Sequence, residues 1–445
     1  MGWLPQNFLR PRGWLMIAAG ALALLLAAIL GRRDLLTVSV FLLVLPPLAG
    51  AGVRLFHPGF TVRRSFAPAL VETGSTAAVT LDVHGTTPGG GQAVLHEDLP
   101  ANIVRAPTFP YPAPVTPRSL RSRYTYTIRP TRRGQYVIGP LRARFSDPFD
   151  VAFQLRTLDD GDVLTVAPAA VVLPAASLTG GRGTDGSRAT RQRANPSDDD
   201  VMTRDYRYGD PLRRVHWPAT ARTGRLMVRQ EESVTTPEAV LLLDRRLGAF
   251  GAVPRTGLGG QVRHGVAGQL RSNANFEWAV VAAVSVATHV LERGFLLRVL
   301  DEHGRPAFLS STSAPEPGLE NYAGPGGVVA VAQSLAALEL TAPAQGEHGY
   351  DENLVDRLLQ SRRRGPIVAI TGRLGPDDAA VLAEAADAAE GAFALVVCDD
   401  PAAAGPELAV LRRAGWQAVA VGADTALADA WMELDGASLV GEGLA

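Results

Sequence analysis

The chain has 445 residues, which is too long for one ordinary domain and predicts two or three domains of about 100–200 residues each. A formal net charge of -1 argues against a nucleic-acid binder that relies on overall positive charge, although a local basic patch stays possible. All 43 basic residues are arginine, which excludes a Schiff-base lysine, a lysine general base and a phosphate loop ending in Gly-Lys-Ser/Thr.

Residues 1–56 predict a two-helix membrane hairpin, because the runs 14–30 and 35–53 are uncharged and approach the roughly 20 apolar residues that span a bilayer. A cleaved signal peptide is the alternative for the first run, but that run ends in AAILGRRD and the second follows at once. The linker GRRD is so short that both ends of the hairpin should lie on one side of the membrane.

Arginine placement predicts the orientation of the hairpin. Arginines outside it outnumber the two in its turn, and these outer residues are Arg10, Arg12, Arg54, Arg63 and Arg64. The positive-inside rule then predicts a multi-pass protein of the cell membrane with cytoplasmic soluble domains.

Residues 60–170 predict an antiparallel β-sandwich, because short runs of alternating polarity are separated by Gly- and Pro-rich turns. The polar, Gly- and Ser-rich segment 178–200 is typical of a flexible linker.

Residues 237–445 predict an α/β domain with a mostly parallel sheet, because short apolar strands alternate with helical patterns. Functional groups in such folds gather at the carboxyl ends of the strands. The positions concerned are Asp244, Asp301, Thr371, Asp399 and Gly422.

Common enzyme signatures are absent from the sequence: it contains no Gly-x-Ser-x-Gly elbow and no His-Glu-x-x-His helix. The run GLGGQVRHG, residues 257–265, lacks the lysine of a phosphate loop and favours a flexible loop. Asp399 and Asp400 could bind a metal, but a cap for a helix beginning at Pro401 is favoured. Cys398 is the only cysteine, which excludes an intrachain disulfide, and its apolar surroundings in the sequence predict a buried thiol.

Residues 201–236 form an arginine-rich segment that contains RYGDPLRRVHWPATAR. Asp210 before Pro211 predicts the start of a short helix, and the Trp217-Pro218 pair predicts a break followed by a second helix. Gly224 should end that helix, and a strand should follow in LMVRQEE.

This segment is interpreted as a structural clamp between domains, in which guanidinium groups bind carboxylates around a buried Trp217 ring. Binding of a phosphate, nucleic acid or acidic partner by Arg213 and Arg214 is the functional alternative. His216 as a catalytic base is disfavoured, because only Thr220 nearby offers a nucleophile.

The same segment resembles the signature of the domain of unknown function 58 family, and TRRGQYVIGPLRARFSDPFDVA is similar to elements that precede it in that family. The sequence departs from the family pattern at Pro218, where a lysine or similar residue is expected, and at Asp150, where glycine is usual. The candidate signature residues are Arg204, Tyr206, Gly209, Asp210, Arg213, Trp217, Arg222 and Glu232.

The resemblance implies a von Willebrand factor A-like C-terminal domain, a type that often holds Mg²⁺ through Asp-x-Ser-x-Ser. Asp244 matches the aspartate, but Arg246 and Gly248 replace the serines, so a degenerate, metal-free site is expected. The resemblance further implies, as partners, a MoxR-type ATPase and other membrane proteins of the same gene neighbourhood.

These observations favour a membrane-anchored, non-catalytic interaction protein that needs no cofactor and binds no nucleic acid. A metal-dependent adhesin-like or enzymatic domain using Asp244, and anionic-ligand or nucleic-acid binding by the arginine cluster, are the alternatives.

Overall fold

The structure is a computed structural model that describes eleven stretches of the chain. They are residues 9–55, 59–87, 93–100, 106–113, 121–174, 203–207, 215–229, 237–252, 270–342, 349–359 and 365–441. The predicted linker 178–200 and the loop 257–265 lie outside them.

Two apolar helices open the described chain, α1 (Pro11–Leu30) and α2 (Arg33–Leu55). Both are long and apolar enough to cross a membrane, as predicted. Gly31 joins them in a left-handed conformation, and Pro46 and Pro47 lie within α2.

The next ten strands form a β-rich unit of three sheets. The strands are β1 (Phe60–Ala67), β2 (Val71–Glu72), β3 (Ala77–Gly85), β4 (Ala93–Glu97), β5 (Thr108–Tyr111), β6 (Arg121–Ile128), β7 (Gly134–Ile138), β8 (Leu141–Ser146), β9 (Phe153–Thr157) and β10 (Asp162–Ala167). The sheets have the orders β1-β3-β6, β2-β10-β7 and β5-β4-β8-β9. Pairing is antiparallel except between β2 and β10, which are parallel. Alternating burial, as in β3 and β8, produces the apolar interior that the period-two pattern predicted.

The arginine-rich segment folds locally into strand β11 (Thr203–Asp205), helix α3 (Trp217–Thr223) and strand β12 (Met227–Arg229). β11 and β12 pair antiparallel.

The C-terminal unit is built on a six-stranded sheet with the order β15-β14-β13-β16-β17-β18. Its strands are β13 (Glu238–Leu243), β14 (Leu296–Leu300), β15 (Asn321–Tyr322), β16 (Pro366–Thr371), β17 (Gly391–Val397) and β18 (Trp416–Val421). All of these pairings are parallel except that of the edge strand β15. The order of connection reverses between β13 and β16, and in such sheets this point opens a crevice at the carboxyl ends.

Helices cover both faces of this sheet. They are α4 (Leu247–Phe250), α5 (Ala274–Glu292), α6 (Gly324–Ala336), α7 (Glu352–Leu359), α8 (Pro376–Glu384), α9 (Gly405–Arg413) and α10 (Leu427–Gly441). Two apolar cores result, one on each face, since Leu241 and Ile370 belong to one cluster and Leu242 and Ala369 to the other. The mixed α/β sheet predicted for this part of the chain is confirmed.

Helix α5 is also apolar enough to cross a membrane by length and composition. Its side chains, however, are largely buried in the core on one face of the sheet, where Phe276, Val280, Val284 and Leu291 pack. We therefore describe it as a core helix of the α/β unit.

Candidate functional site

The carboxyl ends of β13 and β14 bring charged residues to the crevice. Asp244 follows β13 directly and is fully buried, and Asp301 and Glu302 follow β14 and are also buried. The strand-end placement predicted for Asp244 and Asp301 is therefore correct.

The Asp244 carboxylate is held by Arg246 on both of its oxygens. Arg246 donates from its backbone N and its Nε to Oδ1, at 2.9 and 3.0 Å, and from Nη2 to Oδ2 at 2.9 Å. Its Nη1 donates to Oδ2 of Asp378 in α8, at 2.8 Å, and the guanidinium lies 4.7 Å from the centre of the Tyr350 ring. One guanidinium thus joins two carboxylates from different elements.

Electrostatics at this site favour the charged arginine. Burial lowers the pKa of Arg246, but Asp244, Tyr350 and Asp378 together outweigh burial, so the net pKa is raised. Burial and the negative charge of Asp244 raise the pKa of Glu302. The same two causes raise the pKa of the Tyr350 hydroxyl well above its usual value.

An open cleft of about 790 Å³ lies beside this ion pair. Its wall includes Arg246, His303, Tyr350, Arg373 and Asp378. Its size is within the range of small-ligand sites.

The residues at Asp244 do not fit a divalent cation as they stand. A magnesium ion needs free oxygen ligands, and a guanidinium already occupies both carboxylate oxygens. Among the described residues, no group of three or more His, Cys, Asp or Glu side chains is placed to hold a metal ion.

Asp399 and Asp400, which follow β17 at the same edge of the sheet, make contacts of other kinds. Oδ1 of Asp400 accepts a bond from the backbone N of Ala402 and caps the short 3-10 helix Pro401–Ala404, as predicted. Oδ1 of Asp399 accepts from Nδ2 of Asn275 at 2.7 Å. Cys398 is buried, also as predicted, and burial raises the pKa of its thiol.

The short helix α3 has clear start and stop signals. Nδ1 of His216 accepts a bond from the backbone N of Ala219, so His216 caps the helix. Gly224 ends it with φ +68°, a left-handed conformation that glycine adopts without strain. The predicted stop at Gly224 is confirmed, and His216 has a structural task that the sequence did not suggest.

The buried tryptophan expected at position 217 is wrong, because Trp217 is 66% exposed. Two hydrogen bonds attach helix α3 to β12. The backbone N of His216 donates to the carbonyl of Met227, and the backbone N of Met227 donates to Oγ1 of Thr220.

The other candidate signature residues are only partly within the described chain. Tyr206 is half-buried, Arg222 is exposed and Arg204 lies in β11. Gly209, Asp210, Arg213 and Glu232 lie outside the described residues.

A buried arginine that the sequence analysis did not single out joins the β-rich unit to the α/β unit. Arg133 donates from Nε and Nη2 to the two carboxylate oxygens of Glu277, both at 3.0 Å. Its Nη1 donates to the carbonyls of Leu335, Ala336 and Leu338 at the end of α6, at 2.7, 3.3 and 2.7 Å.

The surroundings of Glu277 favour its charged form. Burial raises the pKa of Glu277, but Arg133, Ser272 and Arg132 together outweigh burial and hold the net pKa below its usual value. Gly134 follows with φ +139°, which the Arg-Arg-Gly run can supply because glycine tolerates such angles. That run was the available signal for this joint.

Comparison with known proteins supports the family resemblance. The family model described as "Protein of unknown function DUF58" matches residues 202–255, which include all but the first residue of the arginine-rich segment, together with β13 and Asp244. The resemblance predicted from that segment is confirmed. A search of curated proteins finds no match.

Two solved structures illustrate the structural comparison. One is a glycosyl hydrolase family 2 member from Bacteroides cellulosilyticus DSM 14838, at 10% identity and a TM-score of 0.14, with 79% of this chain and 38% of that chain covered. The other is Cwp6 from Clostridium difficile, at 8% identity and a TM-score of 0.13, with 82% and 53% covered. This chain therefore spans well under two thirds of either length, and TM-scores this low bear on neither fold nor function.

Proposed function

We propose that this protein, which carries the DUF58 segment at residues 202–255, is a membrane-anchored, non-catalytic interaction protein. In this proposal the hairpin of α1 and α2 is the anchor, the other units lie on the cytoplasmic side, and the partner is a MoxR-type ATPase, as the family resemblance implies. The apolar character of both helices supports the anchor.

We also propose that the α/β unit is of the von Willebrand factor A type. Two features support this assignment: the strand order, with its reversal between β13 and β16, and the position of Asp244 directly after the first strand of the unit.

The observation that carries the interaction role is the exposure of Trp217. An indole ring on the surface of a capped helix is costly to leave in water, and Trp and Arg are the residue types that most often anchor protein interfaces. We call the exposed part of α3 around Trp217 the α3 surface.

Binding of the purified ATPase to the full chain in nanodiscs tests this role. We expect Trp217→Ala to weaken binding roughly tenfold or more, as for a typical interface anchor. Val163→Ala is the matched control, because Val163 is also exposed but lies on the β-rich unit. Equal binding by the two variants would contradict the role of the α3 surface, and no binding by the wild-type chain would contradict the ATPase as partner.

Salt dependence distinguishes the alternative in which the arginine cluster binds nucleic acid or another polyanion. Such binding falls steeply with salt concentration because counterions are released, whereas a contact centred on Trp217 should change little. The metal-dependent alternative is weakened by Arg246, which would have to leave Asp244 before a cation could bind.

A further inference from the structure

A turn of the β-rich unit lies directly against the start of the proposed membrane hairpin. Oδ2 of Asp150 binds Nη1 of Arg10, and the backbone N of Arg10 donates to the carbonyl of Val151 at 2.9 Å. A Cβ added at Gly13 would lie 2.8 Å from that carbonyl oxygen, so the first turn of α1 touches the turn closely. We call residues 147–152 the Asp-Pro-Phe turn.

The other end of the hairpin reaches the same region. Nη2 of Arg156, in β9, donates to the carbonyl of Arg54 in the last turn of α2 at 3.3 Å, and Val53 is buried in the core of the β-rich unit. Both ends of the hairpin therefore meet one edge of this unit.

The length of α1 fixes the depth of the turn relative to a bilayer. Twenty helical residues rise about 30 Å, which equals the thickness of the hydrocarbon core. If α1 spans it, the first turn of α1, which contains Gly13 and Trp14, lies at the boundary between hydrocarbon and headgroups. Trp14 is 62% exposed, as expected for a ring at that level.

Phe149 is the aromatic residue of the Asp-Pro-Phe turn, and its side chain is 58% exposed at the tip of that turn. Phe149 is two residues from Val151, so the Cα atoms of these two residues lie within about 7 Å of each other. Val151 is the residue whose carbonyl contacts the first turn of α1. The headgroup layer is about 5–7 Å deep on each side. An aromatic ring held at this level would be exposed to lipid headgroups rather than to bulk water.

The backbone of the turn is fixed by its aspartates. The Asp147 carboxylate accepts bonds from the backbone N of Phe149, Val151 and Ala152. Asp150 has φ +56°, the left-handed conformation that explains why glycine is usual here, and its carboxylate gives the turn its bond to Arg10. Phe149 is therefore presented by a rigid turn rather than by a loose loop.

We propose that the Asp-Pro-Phe turn is a membrane-contact site, in which Phe149 inserts into the phospholipid headgroup region beside Trp14. The inference rests on the proposed anchoring role of the hairpin. It adds that the β-rich unit itself touches the bilayer, which would hold the soluble units at a fixed height above it.

Spin labels on the full chain in phospholipid nanodiscs test this contact. In a Cys398→Ala background, labels at Phe149→Cys, Leu22→Cys and Val163→Cys report the local access of oxygen, which enters lipid, and of a water-soluble nickel chelate. We expect oxygen to dominate at 22, the chelate to dominate at 163, and position 149 to lose chelate access relative to 163.

The outcomes separate the two proposals. A label at 149 as accessible to the chelate as the label at 163, with 22 protected, would overturn the membrane contact and leave the anchor standing. Chelate access at 22 would overturn both.

A second variant keeps the native ring. A label at Pro148→Cys, with Phe149 intact, should be less accessible to the chelate than the label at Val163→Cys. Equal chelate access at 148 and 163 would overturn the membrane contact.

Discussion

Removal of the Arg133 side chain should loosen the joint between the β-rich unit and the α/β unit. In Arg133→Ala, Glu277 loses its bidentate partner and the carbonyls of Leu335 and Leu338 lose their donor. Deleting one partner of a buried ion pair costs about 3–5 kcal/mol. Glu277 is 44% exposed and can recruit water, so we expect the lower end, about 3 kcal/mol.

The neighbouring arginine supplies a matched control. Arg132 is exposed, so Arg132→Ala removes the same charge from the same turn and should change the free energy of unfolding by less than about 0.5 kcal/mol. Arg133→Lys should recover only part of the loss, because one ammonium cannot bind Glu277 bidentately and also reach the carbonyls at the end of α6.

Urea unfolding of the full chain in nanodiscs, followed by tryptophan fluorescence, measures the difference between the variants. Hydrogen exchange at the end of α6 then locates it. Equal midpoints for Arg133→Ala and Arg132→Ala, with unchanged exchange at Leu338, would refute the assignment of Arg133 as the interdomain joint.

Three further predictions concern other sites. Replacing both Arg246 and Gly248 by serine should create measurable Mg²⁺ binding in isothermal titration, since a Cβ at position 248 meets no atom within 4 Å. Asp244→Ala should abolish this binding. Tight Mg²⁺ binding by the wild-type chain would contradict the metal-free interpretation. His216→Ala should speed hydrogen exchange in α3, corresponding to about 1 kcal/mol for a lost cap. His216→Asn should restore protection, because asparagine can also cap a helix. Equal exchange rates in the two variants would show that the cap is unimportant. Burial lowers the pKa of His289 to about 4 from 6.5, so as the pH falls the unfolded state takes up the proton first. The free energy of unfolding should therefore fall by up to about 3 kcal/mol between pH 6.5 and about 4. Urea titrations at each pH should show a smaller loss in His289→Gln.

The sequence predicted best what depends on local pattern. Uncharged apolar runs predicted α1 and α2, and a glycine after a helical pattern predicted the end of α3 at Gly224. The strand-end position of Asp244 followed from the alternation of strands and helices. Each of these depends on residues that are neighbours in the chain.

The sequence predicted poorly what depends on contacts across the fold. Trp217 was expected to be buried because large rings usually are, but no local signal indicates which side of a seven-residue helix meets its neighbour. Arg133 and Glu277 are 144 positions apart, and neither residue type is unusual where it stands. The sequence marked Asp150 only as a departure from the usual glycine. Its bond to Arg10 depends on where the hairpin lies relative to the β-rich unit, which no local pattern predicts.

The absence of lysine has a structural consequence that composition alone did not show. Arg64 binds three carboxylates, those of Glu97, Asp159 and Asp162, and Arg246 binds those of Asp244 and Asp378. Arg133 joins a carboxylate to the carbonyls that end a helix.

In each case acceptors from different elements converge on a planar group whose five N–H donors point in fixed directions. A lysine would offer a single nitrogen and leave some of those buried acceptors unpaired. Arginine at these positions therefore fixes the relative placement of strands, helices and units, and at Asp244 it places a positive charge against a fully buried carboxylate.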